Sequence, residues 1–355
     1  MKLIMGADVH ASNSLPFAKL TDEHPVYTDR LLDVAFILKQ GFSHALEQGA
    51  SALVVLGDLF DVQRVDAPTL KMVADTVASA HRAGLSLWVL PGNHDLWDGA
   101  GKLYTPEALA HVPGFRFLHE QTLTLDGINV HVIPYLPLGI TRAKLDAMDW
   151  EDEDDVFWMH HTFQGCVDGF WNAPDGVDPG FAPDNYTFSG HFHTPQVFPG
   201  MGGRYLGAPM QHHFGDAGES HRGWYVWDSD TPKHVKPLPT FSPTFETVLT
   251  GEDRDGLLIL PAPTDGTAYV TIKATGTAED VKRWHAQVEE EMLEWDVRFV
   301  RRDFTIKSPR KYRAEVKVGM KLGDMIEPYV TTMETGMDVE RLIKYGREAL
   351  GRAVR

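Results

Sequence analysis

The chain has 355 residues, 43% of them hydrophobic, and a formal net charge of −17 at pH 7. This length favours one large domain with a smaller second one. The negative balance excludes a passive DNA-coating protein, because such a protein needs a basic face that releases counterions from the phosphates. The single cysteine, Cys166, excludes an internal disulfide framework and a thiolate metal cluster, and it is typical of a reducing compartment.

The sequence also indicates a location in the cell. No apolar run has the length that spans a membrane, so we expect no membrane partner. The start Met1-Lys2-Leu3-Ile4 leads directly into a polar motif and not into the apolar core of a signal peptide. We therefore expect a cytoplasmic protein.

The first polar motif follows a short apolar strand predicted over Lys2 to Ala7. It contains Asp8 and His10, two residues apart. In an extended segment such residues point to the same side, so the carboxylate and the imidazole can converge on one point. This is a bidentate arrangement for a metal. Taken alone, the motif is better explained as two unrelated polar groups at a strand end.

Two amphipathic helices and two buried strands follow in alternation. Helical spacing of apolar residues predicts a helix over Asp29 to Gln48, with Gly49 as its C-cap, and a second helix over Pro68 to Arg82. Continuous apolar runs predict buried strands at Ala52–Leu56 and within Leu85–Pro91. This alternation of strands and helices predicts a parallel sheet.

Polar residues follow both of these strands. Asp58 comes after the first, and the nearby Asp61 is predicted to cap a turn or to orient neighbouring ligands. Asn93, His94 and Asp95 come after the second, where open α/β sheets place their ligands. Gly-Asn is also an ordinary turn dipeptide, so a turn is the favoured interpretation of this motif when it is taken alone.

Two further strands end in histidines. The strand Val156–Met159 leads into His160-His161, and only the register of the strand decides which of the two imidazoles faces the site; we favour His160 because it directly follows the strand. Tyr186 to Ser189 leads into His191 and His193, which share one side of an extended segment.

The segments around these strands have simpler interpretations. An alternating strand over Gly127–Ile133 contains His131, which is expected to be structural. The acidic run from Glu151 to Asp155 is expected to be solvated. The segment from Gly165 to Asp184, rich in Gly, Pro and Asp, is predicted to be a loop that forms a wall or a flexible lid at the substrate site.

Five successive strand ends thus carry polar residues of a restricted kind. They supply neutral imidazole, carboxylate and amide oxygen, the ligand set of a dinuclear site for hard to borderline metals. One such strand end is expected by chance, but five in succession are not.

In this order the motifs D-x-H, G-D-x-x-D, G-N-H-D, a strand-end His and G-H-x-H resemble the calcineurin-like metallophosphoesterases over residues 8 to 193. Gly57–Asp61, Gly190–His193, Tyr205–Pro209 and Phe214–Asp216 further resemble the SbcD-type DNA repair nucleases and their phage relatives. The resemblance implies an α/β fold of the four-layer type, with two mixed sheets flanked by helices and a small α+β capping domain. It places the protein in the host cytoplasm if a phage encodes it.

The resemblance also implies residue roles. Asp8, His10, Asp58 and His193 would hold one metal, and the second would be held by Asp58, Asn93, His160 and His191. Asp58 would bridge the two ions. His94 would face the scissile phosphate as a general acid or charge stabiliser, and Asp95 would orient His94.

This ligand set implies two divalent ions, best Mn²⁺, although Fe²⁺, Zn²⁺ or Co²⁺ fit the same donors. The implied activity is that of a DNA exo/endonuclease subunit that hydrolyses phosphodiesters with a hydroxide activated by the two metals. The alternative is a metallophosphoesterase for small phosphodiesters or phosphoproteins. A binding module with a dead site is disfavoured, because every expected ligand type is present.

The C-terminal third predicts a second domain. We expect a catalytic domain over 1–240, a capping domain over 241–315 and a tail over 316–355. A strand at Tyr269–Lys273, a helix from Thr277 to about Glu294 and a strand at Val297–Thr305 form the predicted cap. Basic residues concentrate there, as a DNA-holding face or as an ordinary solvated surface: Lys282, Arg283, Arg298, Arg301, Arg302, Lys307, Arg310, Lys311 and Arg313.

The tail is predicted to bind a partner. It contains the apolar segment from Leu322 to Val330 and a helix predicted from Asp338 to Leu350. A short terminal helix of this kind gains stability only by docking, either on its own catalytic domain or on a partner. The resemblance implies DNA and an SbcC-type coiled-coil ATPase as partners, and a homodimer stays open.

Overall fold

The computed structural model describes residues 1–98, 101–148, 155–169, 171–181, 186–200, 202–218, 222–306, 326 and 340–345. The helices are α1 Asp29–Gln48, α2 Ala67–Arg82, α3 Leu138–Ala147 and α4 Ala278–Glu291. The strands are β1 Lys2–Gly6, β2 Ala52–Leu56, β3 Ser86–Leu90, β4 Phe115–Phe117, β5 Gln121–Leu125, β6 Ile128–Ile133, β7 Val156–His160, β8 Val167–Asp168, β9 Trp171–Asn172, β10 Tyr186–Gly190, β11 Gln196–Val197, β12 Gly203–Tyr205, β13 Gly223–Asp228, β14 Val235–Pro239, β15 Thr244–Leu249, β16 Thr267–Gly276 and β17 Phe299–Ile306.

Two mixed six-stranded sheets organise the first part of the chain. The first has the order β14-β13-β1-β2-β3-β4, in which β1 to β4 are parallel and β13 pairs antiparallel with β1. The second has the order β11-β12-β10-β7-β6-β5, with parallel pairs from β12 to β6 and antiparallel strands at both edges. The predicted parallel arrangement of the first strands is therefore confirmed.

The burial pattern explains why the strands read as continuous apolar runs. In β1, Leu3 and Met5 join the core between the two sheets, whereas Ile4 joins the core beneath α1 and α2. In β7, Trp158 faces the other sheet and Phe157 faces the layer that contains α3. Strands covered on both faces need apolar residues at every position. The layers are therefore helices, sheet, sheet and a further helical layer, as the resemblance implied.

Local sequence signals fix the first helix. The Thr28 side chain accepts a hydrogen bond from the Leu31 amide (3.4 Å) at the start of α1. Gly49 ends the helix in the left-handed conformation (φ 65°) and donates to carbonyls of the last turn. The predicted bounds of this helix are confirmed.

The segment from 165 to 184 differs from the predicted open loop. The short strands β8 and β9 pair as a hairpin within it, and residue 170 and residues 182–185 lie outside the described residues. Cys166, Ala173 and Val177 are each 1% exposed in the core that also contains Phe163. Sequence reasoning missed these contacts because single apolar residues between glycines and prolines have no period. The described part of the segment is anchored.

The chain divides into two compact units. The first comprises Met1–Thr247, Ala262–Thr271 and Asp296–Arg301, and the second comprises Val248–Pro261, Ile272–Trp295 and Arg302–Arg355. The predicted domain boundaries at 240 and 315 stay predictions.

Within the second unit, α4 begins at a capping box in which Thr277 and Asp280 bond reciprocally, as predicted. Trp284 of α4 is 1% exposed and donates to the Gly256 carbonyl (3.2 Å). These contacts give the second unit a small core of its own.

Two of the basic residues predicted for the cap form ion pairs, and four lie outside the described residues. In the first unit Arg298 donates to the Asp33 carboxylate (2.7 Å), and in the second Arg283 pairs with Asp280 (2.6 Å). Both side chains therefore serve ion pairs within their own units. Lys307, Arg310, Lys311 and Arg313 lie outside the described residues.

The described residues of the tail are few. The acidic run 151–154, the segment from Leu322 to Val330 except Ile326, and Leu350 also lie outside them, whereas residues 340–345 are helical. Within the described ranges no helix combines the length and apolarity needed to cross a membrane.

Candidate metal centre

The predicted ligands come together where strands of the two facing sheets end. They follow β1, β2 and β3 of the first sheet and β7 and β10 of the second. Hydrogen bonds join the two sets: the His191 amide donates to Asp8 Oδ1 (3.0 Å), and His160 Nδ1 donates to the Leu56 carbonyl (2.8 Å). Two sheets packed face to face thus bring five strand ends to one place.

One cluster consists of Asp8, His10 and His193, whose ligand atoms all lie within 4.8 Å of one another. The Nε2 atoms of His10 and His193 are 3.1 Å apart. Asp61 Oδ1 accepts a hydrogen bond from His10 Nδ1 (3.1 Å), which directs His10 Nε2 towards the cluster. Asp61 therefore orients His10, a predicted ligand, which is one of the two roles that the sequence left open for it.

A second cluster consists of Asp58, His160 and His191. His160 Nε2 lies 3.1 Å from both Asp58 Oδ2 and Asn93 Oδ1, and His191 Nδ1 lies 2.8 Å from Asn93 Oδ1. Asp58 Oδ2 is also 3.8 Å from His10 Nε2 of the first cluster. The Asp58 carboxylate therefore lies between the two clusters.

The backbone at these positions is strained. Asp8, His10, Asp58 and His191 have positive φ angles of 55°, 50°, 53° and 110°. Such conformations cost on the order of 1–3 kcal/mol each in non-glycine residues and persist where the surrounding structure enforces them. Here the Asp8 amide donates to the Gly57 carbonyl (3.0 Å) and the His10 amide to the Asp58 carbonyl (2.9 Å). These backbone conformations direct the side chains of Asp8, His10, Asp58 and His191 towards one point.

Charge in the centre is concentrated and buried. Burial raises the pKa of Asp8, which is fully buried. Burial opposes charge on His160 as well, yet the neighbouring Asp58 carboxylate outweighs it and raises the pKa of His160 to about 9. Burial lowers the pKa of His191 to about 3. Burying carboxylates is costly unless a positive charge lies beside them. A divalent cation between these carboxylates and the inward-facing imidazole nitrogens supplies that charge. The residues therefore fit metal ions.

His94 lies at the mouth of the centre. Its Nδ1 donates to the Asp61 carbonyl (2.6 Å), and its ring lies 4.7 Å from that of His10. It lines an open pocket of about 500 Å³ with Asn93, Asp61 and Arg64. Its ring nitrogen also lies close enough to His10 and Asp58 to count with them as a metal-binding group, so geometry alone permits both roles. Sequence reasoning missed Arg64, because a lone arginine in a polar loop carries no signal.

The Asp95 carboxylate bonds to two loops of the centre. Asp95 is fully buried, and its carboxylate accepts the amides of Leu59 (3.2 Å), Phe60 (3.0 Å) and Gly92 (3.0 Å). Burial raises its pKa to about 7. The His94 ring is held by the Asp61 carbonyl. Asp95 therefore ties together the two loops that carry the predicted ligands Asp58 and Asn93, and its influence on the adjacent His94 stays a prediction.

The structure distinguishes His160 from His161. His161 Nε2 donates to the Pro134 carbonyl (3.0 Å), and its ring stacks on Tyr135 at 5.5 Å. Burial lowers its pKa to about 3. Adjacent side chains of a strand point to opposite faces, so only His160 joins the cluster. This agrees with the preferred assignment, while ligation itself stays a prediction.

Three residues behind the first cluster were missed as supports. Asp216 Oδ2 lies 3.8 Å from His193 Nδ1, and Asp216 Oδ1 lies 3.1 Å from the Arg222 guanidinium. Arg222 also donates to the His193 carbonyl (2.7 Å). His212 Nε2 donates to the Asp8 carbonyl (2.9 Å), and the His212 ring packs 5.0 Å from that of His10. The family resemblance included the Phe214–Asp216 motif but implied no role for Asp216.

Two glycines permit the close approach of the loops. Gly57 has a φ of 89°, and a Cβ there would overlap the His160 imidazole. A Cβ on Gly92 would overlap the Asp58 carboxylate. Both positions therefore need glycine, because the side chains of two predicted ligands occupy the space.

Comparison with known proteins defines the class. The profile of the calcineurin-like phosphoesterase family matches residues 1–195, more than half of the chain. The chain therefore belongs to this family of hydrolases, and its fold and motifs agree with that membership.

The individual proteins that the chain resembles share about a quarter of its residues over the aligned segments. Exonuclease subunit 1 of Enterobacteria phage T4 is 25% identical over 205 residues, which cover 55% of this chain and 58% of the relative. The DNA double-strand break repair protein Mre11 of Methanopyrus kandleri is 24% identical over 232 residues, covering 59% and 49%. The chain thus spans about half the length of these relatives. The solved structure of TT1561 from Thermus thermophilus matches with a TM-score of 0.40 and 13% identity, covering 67% of this chain and 98% of its own.

Proposed function

We propose that this protein is a metal-dependent DNA exo/endonuclease subunit that hydrolyses phosphodiester bonds at a centre of two divalent ions. The observation that carries the proposal is the Asp58 carboxylate between two clusters of buried ligand groups. Two ions that share a carboxylate suit in-line displacement at phosphate. The similarity to a phage exonuclease subunit and to Mre11 repair proteins supports DNA as the substrate.

In this proposal each ion would have three ligands of its own and would share Asp58 with the other. The first would be held by Asp8, His10, Asp58 and His193, and the second by Asp58, Asn93, His160 and His191. Mn²⁺ suits this mixture of imidazole, carboxylate and amide oxygen, and Fe²⁺, Zn²⁺ or Co²⁺ would fit the same donors.

The chain's own groups complete the chemistry. When bound, the ions supply a water nucleophile ionised near neutral pH and offset the charge of the phosphate oxygens. Because His94 Nδ1 donates to the Asp61 carbonyl, Nε2 is the atom that can hold a proton for the leaving oxygen. Arg64 lines the same pocket, and its guanidinium is suited to bind a phosphate of the strand.

The proposal includes a cellular role. We place the protein in cytoplasmic DNA repair or recombination with an SbcC-type ATPase as partner. The net charge of −17 supports this, because a protein poor in basic surface benefits from a partner that supplies the main grip on DNA.

A cleavage assay with purified protein tests the proposal. With Mn²⁺, we expect degradation of end-labelled linear DNA and hydrolysis of methyl p-nitrophenyl phosphate, with two metal ions bound per chain. Chelation should abolish both activities, and so should Asp58→Ala, which removes the shared carboxylate. Hydrolysis of the small diester without any DNA cleavage would favour the small-diesterase alternative, and full activity with one ion or none would refute the dinuclear centre.

A further inference from the structure

An exposed tryptophan lies on the short hairpin beside the metal centre. Trp171 is 51% exposed on strand β9, and Val167 on the paired strand β8 is 42% exposed. Large apolar side chains at such exposure are ordinary when scattered singly, so exposure alone indicates no function. The contacts around Trp171 and the charge of its segment indicate a function.

The hairpin is held in place by several bonds. The Gln196 side chain accepts from the Val167 amide (2.9 Å) and donates to the Val167 carbonyl (2.6 Å). Cys166 and Ala173, at the two ends of the hairpin, are each 1% exposed, and the Ala173 amide donates to the Cys166 carbonyl (2.9 Å). An indole on an anchored hairpin loses little conformational freedom when a ligand binds it.

Trp171 contacts the segment that carries the predicted ligands His191 and His193. Its ring meets that of Phe192 edge to face at 5.8 Å. Phe192 is 3% exposed, lies between His191 and His193 in the chain, and stacks on the His191 ring at 5.5 Å. A single buried ring therefore separates the exposed indole from a predicted metal ligand.

The charge of the hairpin limits what can bind there. The segment from 165 to 173 contains Asp168 and no lysine or arginine. Within this segment a phosphate would meet the Asp168 carboxylate and no cation, whereas the flat face of a neutral nucleobase would stack on the indole. A base inside a duplex has both faces covered by its neighbours, so the indole suits an unpaired base.

We propose that Trp171 is a stacking platform for an unpaired nucleobase of the strand whose phosphate lies at the metal centre. This inference rests on the proposed nuclease function and names the form of its substrate, a strand unpaired next to the cleaved bond. Trp171 positions the strand by its base, while the centre acts on the backbone.

Single substitutions test the platform on a single-stranded oligonucleotide with Mn²⁺. Trp171→Ala should lower kcat/KM about tenfold, the loss expected for one stacked base. Trp171→Tyr should restore most of the activity, because the phenol ring still offers a face. The matched control is Phe36→Ala on helix α1, since Phe36 is 52% exposed and lies outside the centre. Both alanine variants should bind Mn²⁺ as the wild type does, and with Ca²⁺ Trp171→Ala alone should bind the oligonucleotide more weakly.

Abasic substrates identify the base. In the wild type, an abasic residue at one position beside the cleaved bond should lower kcat/KM by the same factor, and this penalty should vanish in Trp171→Ala. If Trp171→Ala lowers cleavage of intact and abasic strands equally, or of neither, the platform is refuted. A wild type that hydrolyses methyl p-nitrophenyl phosphate but no DNA refutes the nuclease function itself, and the platform with it.

Discussion

At the residue scale, a hydrogen bond to the backbone carbonyl of Asp61 fixes the orientation of the His94 imidazole. The Asp61 carbonyl accepts from His94 Nδ1, which leaves Nε2 towards the pocket. We predict that His94→Gln lowers turnover by roughly two to four orders of magnitude, the usual value of a positioned acid/base group, with metal content and DNA affinity preserved. Steady-state kinetics and metal analysis check this, with the exposed His111→Gln as control. Loss of a metal ion in His94→Gln would make His94 a ligand.

Asp216 acts on the centre through His193. The Asp216 carboxylate lies between His193 Nδ1 and the Arg222 guanidinium and is 3% exposed. Burial raises the pKa of Asp216, but His193 and Arg222 outweigh burial and lower it, so the carboxylate is ionised and supports the imidazole. We predict that Asp216→Asn weakens Mn²⁺ binding by about 10- to 100-fold.

Calorimetric titration measures this affinity. The control is Asp155→Asn, because Asp155 is also buried and bonds His131 Nε2 (2.9 Å), away from the predicted ligands. It should lose stability without loss of metal affinity. Equal effects of the two substitutions on metal binding would mean that Asp216 serves only the fold.

At the element scale, the turns after the strands decide whether the centre forms. Gly57 and Gly84 both have positive φ angles, 89° and 82°, but only a Cβ at Gly57 would overlap a side chain, that of His160. We predict that Gly84→Ala costs about 1 kcal/mol, the strain of a left-handed alanine, and leaves the centre intact. Gly57→Ala should cost more and also weaken metal binding, because His160 must move.

Thermal unfolding with and without Mn²⁺ separates the two effects. Bound metal stabilises the folded state by mass action, so the rise in Tm on adding Mn²⁺ reports the intact centre. That rise should persist in Gly84→Ala and shrink in Gly57→Ala. An equal rise in both variants would show that His160 tolerates the added methyl group.

At the scale of the whole molecule, the tail is the predicted partner contact. Residues 340–345 are helical, and most of the remaining tail lies outside the described residues. We predict that deletion of residues 331–355 preserves Mn²⁺-dependent cleavage by the isolated subunit and abolishes co-purification with an SbcC-type ATPase. An unchanged complex would refute docking by the tail, and a truncated protein that fails to fold would show that the tail packs on its own chain.

The sequence by itself determined the alternation of the first three strands with two helices and the residue types at the strand ends. These features are local: an apolar run needs burial on both faces, and a glycine followed by a polar residue marks where the strand stops. The bounds of α1 followed from Thr28, Gly49 and the apolar period between them. The convergence of Asp8 and Asp58 was predictable because β1 and β2 are parallel neighbours, whose ends meet at one edge of a sheet.

Only the tertiary structure decided which neighbouring side chains face the centre. His160 and His161 are both buried, and sequence cannot assign opposite faces of a strand that is covered on both sides. The roles of Asp95 and Asp216 depend on loops distant in sequence, which no local pattern encodes. The place of Trp171 beside Phe192 likewise arises from the anchoring of the hairpin by Gln196, a contact between segments that have no periodic signal.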